Sequence, residues 1–168
     1  MALFEPLFDA LERADVRYVV VGGVAVVLHG FARLTADVDL LVDLAPAEAR
    51  KAVATLTGLG LHPRLPVDPA GFADPETRTR WAEEKGMRVF SFLDPKNPML
   101  LVDLFVEHPL PFDEVRARAE TITVGSTRIR VAAIPDLIRL KKIADRPQDR
   151  ADIEALEAIL ARRGPRRA

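Results

Sequence analysis

The 168-residue chain contains no cysteine, which excludes a disulfide framework and thiolate zinc sites and fits a reducing cytosol. Long apolar runs are missing as well; none approaches the ~20 residues that a membrane span requires. The opening stretch MALFEPLFDALERAD carries acids early and has no basic segment, so it reads as an amphipathic helix and not as a secretion signal. Neither sign of charge is in excess, with 24 Lys+Arg against 25 Asp+Glu and a net charge of −1. No global bias therefore points to nucleic acid or to an anionic membrane. Internal repeats are absent. What is there is ordinary for a globular protein: 49% hydrophobic and 29% charged residues, enough for one domain with a real core. The expectation is a cytoplasmic protein with no membrane association. It has a single domain: a core over 1–133, a C-terminal helical segment over 134–162 and a frayed tail over 163–168.

Periodicity predicts the elements. A helix is expected from Ala2 to Ala14, with Leu3, Phe4, Leu7, Phe8 and Leu11 on one face. A β-branched strand follows from Arg17 to Val21, then Gly22-Gly23, a helix from Val24 to Gly30, and a loop from Phe31 to Ala36. Asp37 to Val42 reads as a second strand and Pro46 to Leu59 as a helix bounded by proline and glycine. Leu61 to Leu65 is a short strand. Pro66 to Asp74 reads as a loop and Pro75 to Lys85 as a polar helix containing Trp81, together a flap over a site. Strands are expected over Met87 to Leu93 and Met99 to Glu107, a helix over Pro111 to Ala119, and a hairpin turning at Gly125-Ser126. Pro135 and Pro147 open the last two helices. The fold class is α/β (α+β): a mixed β-sheet flanked by helices, with the helices on one face and an acidic site at one edge of the sheet.

The stretch Val20 to Asp43 organises the chemistry. A strand alternates its side chains, so Asp37 and Asp39 share one face while Val38 and Leu40 take the other. Two acids on one face of an apolar strand are costly unless a positive charge sits between them, and a divalent cation is the natural one. Asp43 has the same parity, but ~20 Å from Asp37 at ~3.3 Å per residue it takes a strand-end role. Asp103 interrupts the apolar run MLLVDLFVE, where an aspartate is rare unless paired or metal-bound. Gly22-Gly23 opens a helix N-terminus that suits a phosphate, although taken alone it reads first as a plain strand–helix turn. Arg33 is either a phosphate-contacting cation or a partner of the acidic strand. Lys141 rides beside the apolar face of its helix with its ammonium at a polar rim. His29 reads as a helix-terminal residue capping a carbonyl.

In combination, Val21-Gly22-Gly23, a thirteen-residue spacer, Asp37-Val38-Asp39-Leu40 and the distant Asp103 resemble the polymerase-beta-type nucleotidyltransferase pattern. Gly22-Gly23-Val24-Ala25, His29-Gly30, Arg33 and Thr35 look like the AbiEii-type branch of small bacterial nucleotidyltransferases. So does the ending in which Leu140-Lys141 is followed by Arg146-Pro147-Gln148-Asp149 and Asp152-Ile153. The resemblance implies transfer of a nucleoside monophosphate from a nucleoside triphosphate to a hydroxyl, with pyrophosphate released. Asp37, Asp39 and Asp103 would be the catalytic residues and the ligands of Mg²⁺ (or Mn²⁺), with Asp103 taking the hydroxyl proton. Gly22, Gly23, Arg33, Thr35 and Lys141 would bind the nucleotide, while Asp149 and Asp152 tie the last helix to the core. The implied acceptor is RNA or a protein, in a toxin–antitoxin system with a cognate antitoxin or toxin. The alternatives are an antibiotic-modifying enzyme and an inactive nucleotide- or partner-binding module.

Overall fold

Apolar strands that must be covered on both faces set the architecture. The computed structural model describes residues 4–164; the expected helix start at Ala2 and the end of the basic tail lie outside them. The elements, in chain order, begin with α1 (Glu5–Arg13), β1 (Tyr18–Val21), α2 (Gly22–Leu28), β2 (Asp37–Val42), α3 (Pro46–Gly58) and β3 (His62–Pro63). A 3-10 turn (Pro69–Ala73) leads to α4 (Pro75–Lys85), β4 (Val89–Asp94), β5 (Asn97–Phe105) and α5 (Phe112–Arg118). The chain ends with β6 (Glu120–Val124), β7 (Thr127–Val131), α6 (Ile134–Ala144) and α7 (Pro147–Arg163). The strands form one mixed seven-stranded sheet in the order β3-β4-β5-β2-β1-β7-β6.

β2 lies at the middle of the sheet, antiparallel to β1 and parallel to β5. The acidic site is thus on central strands and not at an edge. β1 and β2 are buried on both sides: Val19 and Leu41 are as inaccessible as Val20 and Leu40. Strands of that kind need helices on both faces, and they have them, contrary to the one-sided arrangement expected. On the first face Phe8 of α1 stacks on Tyr18, and Phe72 and Trp81 stack on Phe90. On the second face α2 begins against Asp39, and α6 stands across a cleft from Asp39 and Asp103.

The segment before and within α4 does not form a flap over the aspartates. Phe72 and Trp81 are buried, and Arg78 donates to the carbonyls of Phe72 and Leu44. Phe90, which they pack on, alternates along β4 with Ser91, the register partner of Asp103. This unit therefore covers the face of the sheet opposite Asp103. Its polar composition does not show that Phe72 of the 3-10 turn and Arg78 and Trp81 of α4 turn inward. Two further differences are local. α2 starts at Gly22, two residues before the expected Val24, because Gly22 takes a φ of +64° and turns directly out of β1. The 61–65 strand shrinks to His62–Pro63, with the Arg64 N–H still reaching the Ser91 carbonyl just beyond it.

Candidate active site

Strand register builds the site. Val21 of β1 lies opposite Asp39 of β2, Asp39 opposite Asp103 of β5, and Asp103 opposite Ser91 of β4. This row crosses the four strands on one face, so the two carboxylates sit on neighbouring strands, whose spacing is ~4.8 Å. Asp37 is on the same face of β2, two residues away and opposite Leu101. The turn out of β1 closes one side. A Cβ placed on Gly22 would lie 1.9 Å from Asp39 Oδ2, so no other residue leaves room for that carboxylate. A Cβ on Gly23 would lie 2.4 Å from Thr35 Oγ1 and 3.4 Å from the Arg33 guanidinium carbon. The glycine pair, Thr35 and Arg33 are thereby one packed corner beside the aspartates.

The electrostatics follow from that crowding. Burial first, and then the charges of Asp103 and Asp37, push the Asp39 pKa up to about 7, offset in part by Arg146 and the Gly23 N–H. Burial also raises Asp103, against the opposing effects of the Ser91 hydroxyl and Arg64. Asp103 Oδ1 is buried without a hydrogen-bond partner among the described residues. An orphaned carboxylate oxygen beside a second raised carboxylate fits a hard divalent cation, which takes oxygen donors. Among the described residues, no three His, Cys, Asp or Glu side chains stand together in a metal-holding arrangement. The fit is therefore to Asp39 and Asp103 as a pair, with Asp37 offset along β2. A pair suffices for Mg²⁺, which is usually held by one or two carboxylates together with water and substrate phosphates.

Above the pair opens a cleft of about 650 Å³. Its floor includes Val21, Gly22, Asp39 and Asp103, and α6 supplies an apolar wall through Leu137, Leu140 and Ile143. Lys141 and Arg146 also line it. Lys141 is buried, with its ammonium 3.0 Å from Asp149 and 2.6 Å from Asp152. Arg33 pairs with the same Asp152. The two cations assigned from sequence to phosphate are thus joined to α7, through the acids expected to anchor that helix. Thr35 contacts the Asp37 carbonyl at 3.5 Å. Outside the site, His29 Nε2 is 2.8 Å from the Ala132 carbonyl, and Asp43 pairs with Arg17 at the strand end.

Arg146 was not singled out in the sequence. It stands at the N-cap of α7, with Nε 3.0 Å from Asp149 Oδ2, and the Asp149 carboxylate also accepts its backbone N–H. Its signal was the Arg-Pro-x-Asp run, which read as an ending motif and not as a site.

Solved structures with this fold share little sequence with the chain. The lincosamide antibiotic adenylyltransferase LnuA, solved with lincomycin bound, superposes with a TM-score of 0.60 at 16% identity, over 92% of this chain and 94% of that one. ANT(2″)-Ia, in complex with adenylyl-2″-tobramycin, gives 0.60 at 14% identity, over 96% and 90%. An antigenic nucleotidyltransferase-like protein from Paracoccidioides brasiliensis gives 0.61 at 17%, over 92% and 73%. At these identities the likeness is one of fold. A search of curated proteins finds no match. A family model does match, over residues 1–162, and on that extent the chain belongs to the family described as nucleotidyltransferase of unknown function (DUF6036).

Proposed function

We propose that this chain transfers a nucleoside monophosphate from a nucleoside triphosphate to the hydroxyl of an acceptor, at the row formed by Asp39 and Asp103. The observation that carries the reading is the juxtaposition of these two carboxylates at the floor of an open cleft, beside a glycine turn. Asp39 and Asp103, with Asp37 beside them, would hold Mg²⁺ or Mn²⁺. Such a cation, when bound, supplies positive charge to the phosphate oxygens and lowers the pKa of the attacking hydroxyl.

The chain's own residues supply the remainder. The Gly22-Gly23 turn lets the triphosphate approach the backbone at the start of α2, which Asp39 and Thr35 already crowd. Asp103, raised by burial, accepts the acceptor's proton. The acceptor oxygen forms a bond to the α-phosphorus, the bond from that phosphorus to the bridging oxygen breaks, and pyrophosphate leaves with the electron pair. Lys141 and Arg33 hold α6, α7 and the 31–36 loop together around the site.

Two acceptor classes differ in what supports them. The cleft, with its apolar wall of Leu137, Leu140 and Ile143, favours a small hydroxylated molecule and is within the usual size of small-molecule sites. The motif combination favours the AbiEii-like reading, with RNA or protein as acceptor and a toxin–antitoxin partner. Either places the protein in the cytoplasm, where the donor is available. The test is incubation of the protein with Mg²⁺ or Mn²⁺ and each α-³²P nucleoside triphosphate. Total RNA, total protein and a panel of aminoglycosides and lincosamides are offered as acceptors, beside an Asp37→Ala/Asp39→Ala control. Label on a small molecule supports the first class and label on RNA or protein the second. No label in any acceptor, together with no metal-dependent nucleotide binding, would overturn the assignment.

A further inference from the structure

The cations around the cleft are not equivalent. Lys141, Arg33 and Arg146 form one network with Asp149 and Asp152, three positive charges against two negative. Within it, the Lys141 side chain is only 5% exposed and that of Arg33 20%, whereas that of Arg146 is 58% exposed. Lys141 is enclosed by both carboxylates and Arg33 is directed to Asp152. The charge left over by the network is therefore presented to solvent at Arg146, on the lining of the cleft that also contains Asp39 and Asp103.

The geometry of the α6–α7 joint explains that presentation. α6 stops at Asp145, a non-glycine residue at φ 46° and ψ 41° whose N–H still reaches the Lys141 carbonyl. Arg146 then returns to extended backbone and Pro147 opens α7. This is the left-handed C-cap that ends a helix, in a residue type that tolerates it. Asp149 Oδ2 takes both the backbone N–H and the Nε of Arg146, at 3.0 Å each. One edge of the guanidinium is thereby fixed, and NH1 makes no hydrogen bond among the described residues.

We propose that Arg146 is the residue that binds the β- and γ-phosphates of the donor and the pyrophosphate that leaves, with Asp149 as the positioning residue that aims its guanidinium into the cleft. The assignment rests on the nucleotidyltransferase reading above. A planar guanidinium tied along one edge offers its other N–H groups as a fork to phosphate oxygens. A triphosphate brings several negative charges to a floor that already holds Asp39 and Asp103, so a cation facing that floor has a defined use. Lys141 then serves the site indirectly, as the buried tie that holds α7 and Asp149 in place.

Inorganic pyrophosphate with Mg²⁺ is the probe, titrated calorimetrically into the wild-type protein and into Arg146→Gln, Arg146→Lys, Arg88→Gln, Asp149→Asn and the Arg146→Gln/Asp149→Asn double variant. Arg88 also lines the cleft and is the control for nonspecific charge. Arg146→Gln is expected to weaken pyrophosphate binding about 10- to 100-fold, Arg146→Lys by less, and Arg88→Gln not at all. Asp149→Asn is expected to weaken binding in the wild-type background but not in the Arg146→Gln background, a coupling that loss of structure would not produce. In steady-state transfer, Arg146→Gln raises the KM for the triphosphate. Should Arg146→Gln not fold, Arg146→Lys carries the test, because it keeps the charge while removing the fork. Equal pyrophosphate affinity in wild type and in the Arg146 variants would overturn the role of Arg146. Equal Asp149→Asn effects in both backgrounds would overturn that of Asp149. Either result, in a wild-type protein that transfers label, leaves the nucleotidyltransferase reading standing. Absence of both pyrophosphate binding and label transfer removes the two together.

Discussion

Asp39 concentrates the conflict between stability and chemistry. Its pKa, raised from 3.8 to about 7 by burial and by Asp103 and Asp37, means that the folded state holds a proton which the unfolded state releases between those values. For a group raised in this way, its contribution to stability is fully present below pH 3.8 and is lost as pH rises through 7. The loss amounts to at most ~4 kcal/mol in the metal-free protein. Asp39→Asn should therefore raise the melting temperature at pH 8 and leave it nearly unchanged at pH 4, while abolishing transfer. Melting curves of both proteins across that range, in EDTA, check this; a variant less stable than wild type at pH 8 would contradict it. Gly22 is the counterpart. Its φ of +64° and the 1.9 Å approach of a Cβ to Asp39 Oδ2 predict that Gly22→Ala costs about 2 kcal/mol or more and displaces the carboxylate. Urea unfolding and the transfer rate together check that prediction.

At the level of elements, what could be read in the chain depended on whether the signal was local. β2 was legible because alternation puts Asp37 and Asp39 on one face whatever lies beyond, and Asp103 because an acid inside an apolar run stands out. The hairpin was legible from Gly125-Ser126, which joins Val124 to Thr127 in register. The order of the strands was not, and with it went the central position of the site, since nothing local says that β2 lies between β1 and β5. Nor could the sequence show that Arg78, Phe72 and Trp81 pin α4 to the far face, because a polar helix and a flap have the same composition. From the sequence, Lys141 goes to the nucleotide as a nearby cation, but its surroundings depend on the corner at Asp145, which brings Asp149 and Asp152 back onto α6. That corner supports its own prediction. Lys141→Met leaves two buried carboxylates with their central cation removed, and should destabilise the fold by about 3–5 kcal/mol. Lys141→Met/Asp149→Asn should recover part of that loss. Urea unfolding of the two variants beside wild type measures both effects, and no recovery in the double variant would mean that the ion network is not what joins α6 to α7.

For the whole molecule, one sheet with helices on both faces predicts that the segment over 134–162 unfolds together with 1–133. Leu137 and Leu156 of that segment are fully inaccessible in the same core as Val21. Removing α6 and α7 would uncover the second face and one wall of the cleft together. Trp81, the one tryptophan, sits on the first face against Phe90, remote from α6, and so reports on the opposite side of the sheet. If the unit is cooperative, thermal unfolding followed by Trp81 fluorescence and by far-ultraviolet circular dichroism must coincide. Ligand linkage sharpens the comparison. On the proposed function, Mg²⁺ with a non-hydrolysable nucleoside triphosphate would bind only the folded state, and at 100 times its dissociation constant would stabilise it by about 2.7 kcal/mol. Occupying the site requires Asp39 to lose its proton, so this stabilisation should be larger at pH 8 than at pH 6 and absent in Asp39→Asn. In a single unit it must move the Trp81 signal and the dichroism by the same amount, although the ligand touches only the second face. Separate transitions, with only the dichroism shifted by ligand, would show that α6 and α7 fold as a lobe of their own.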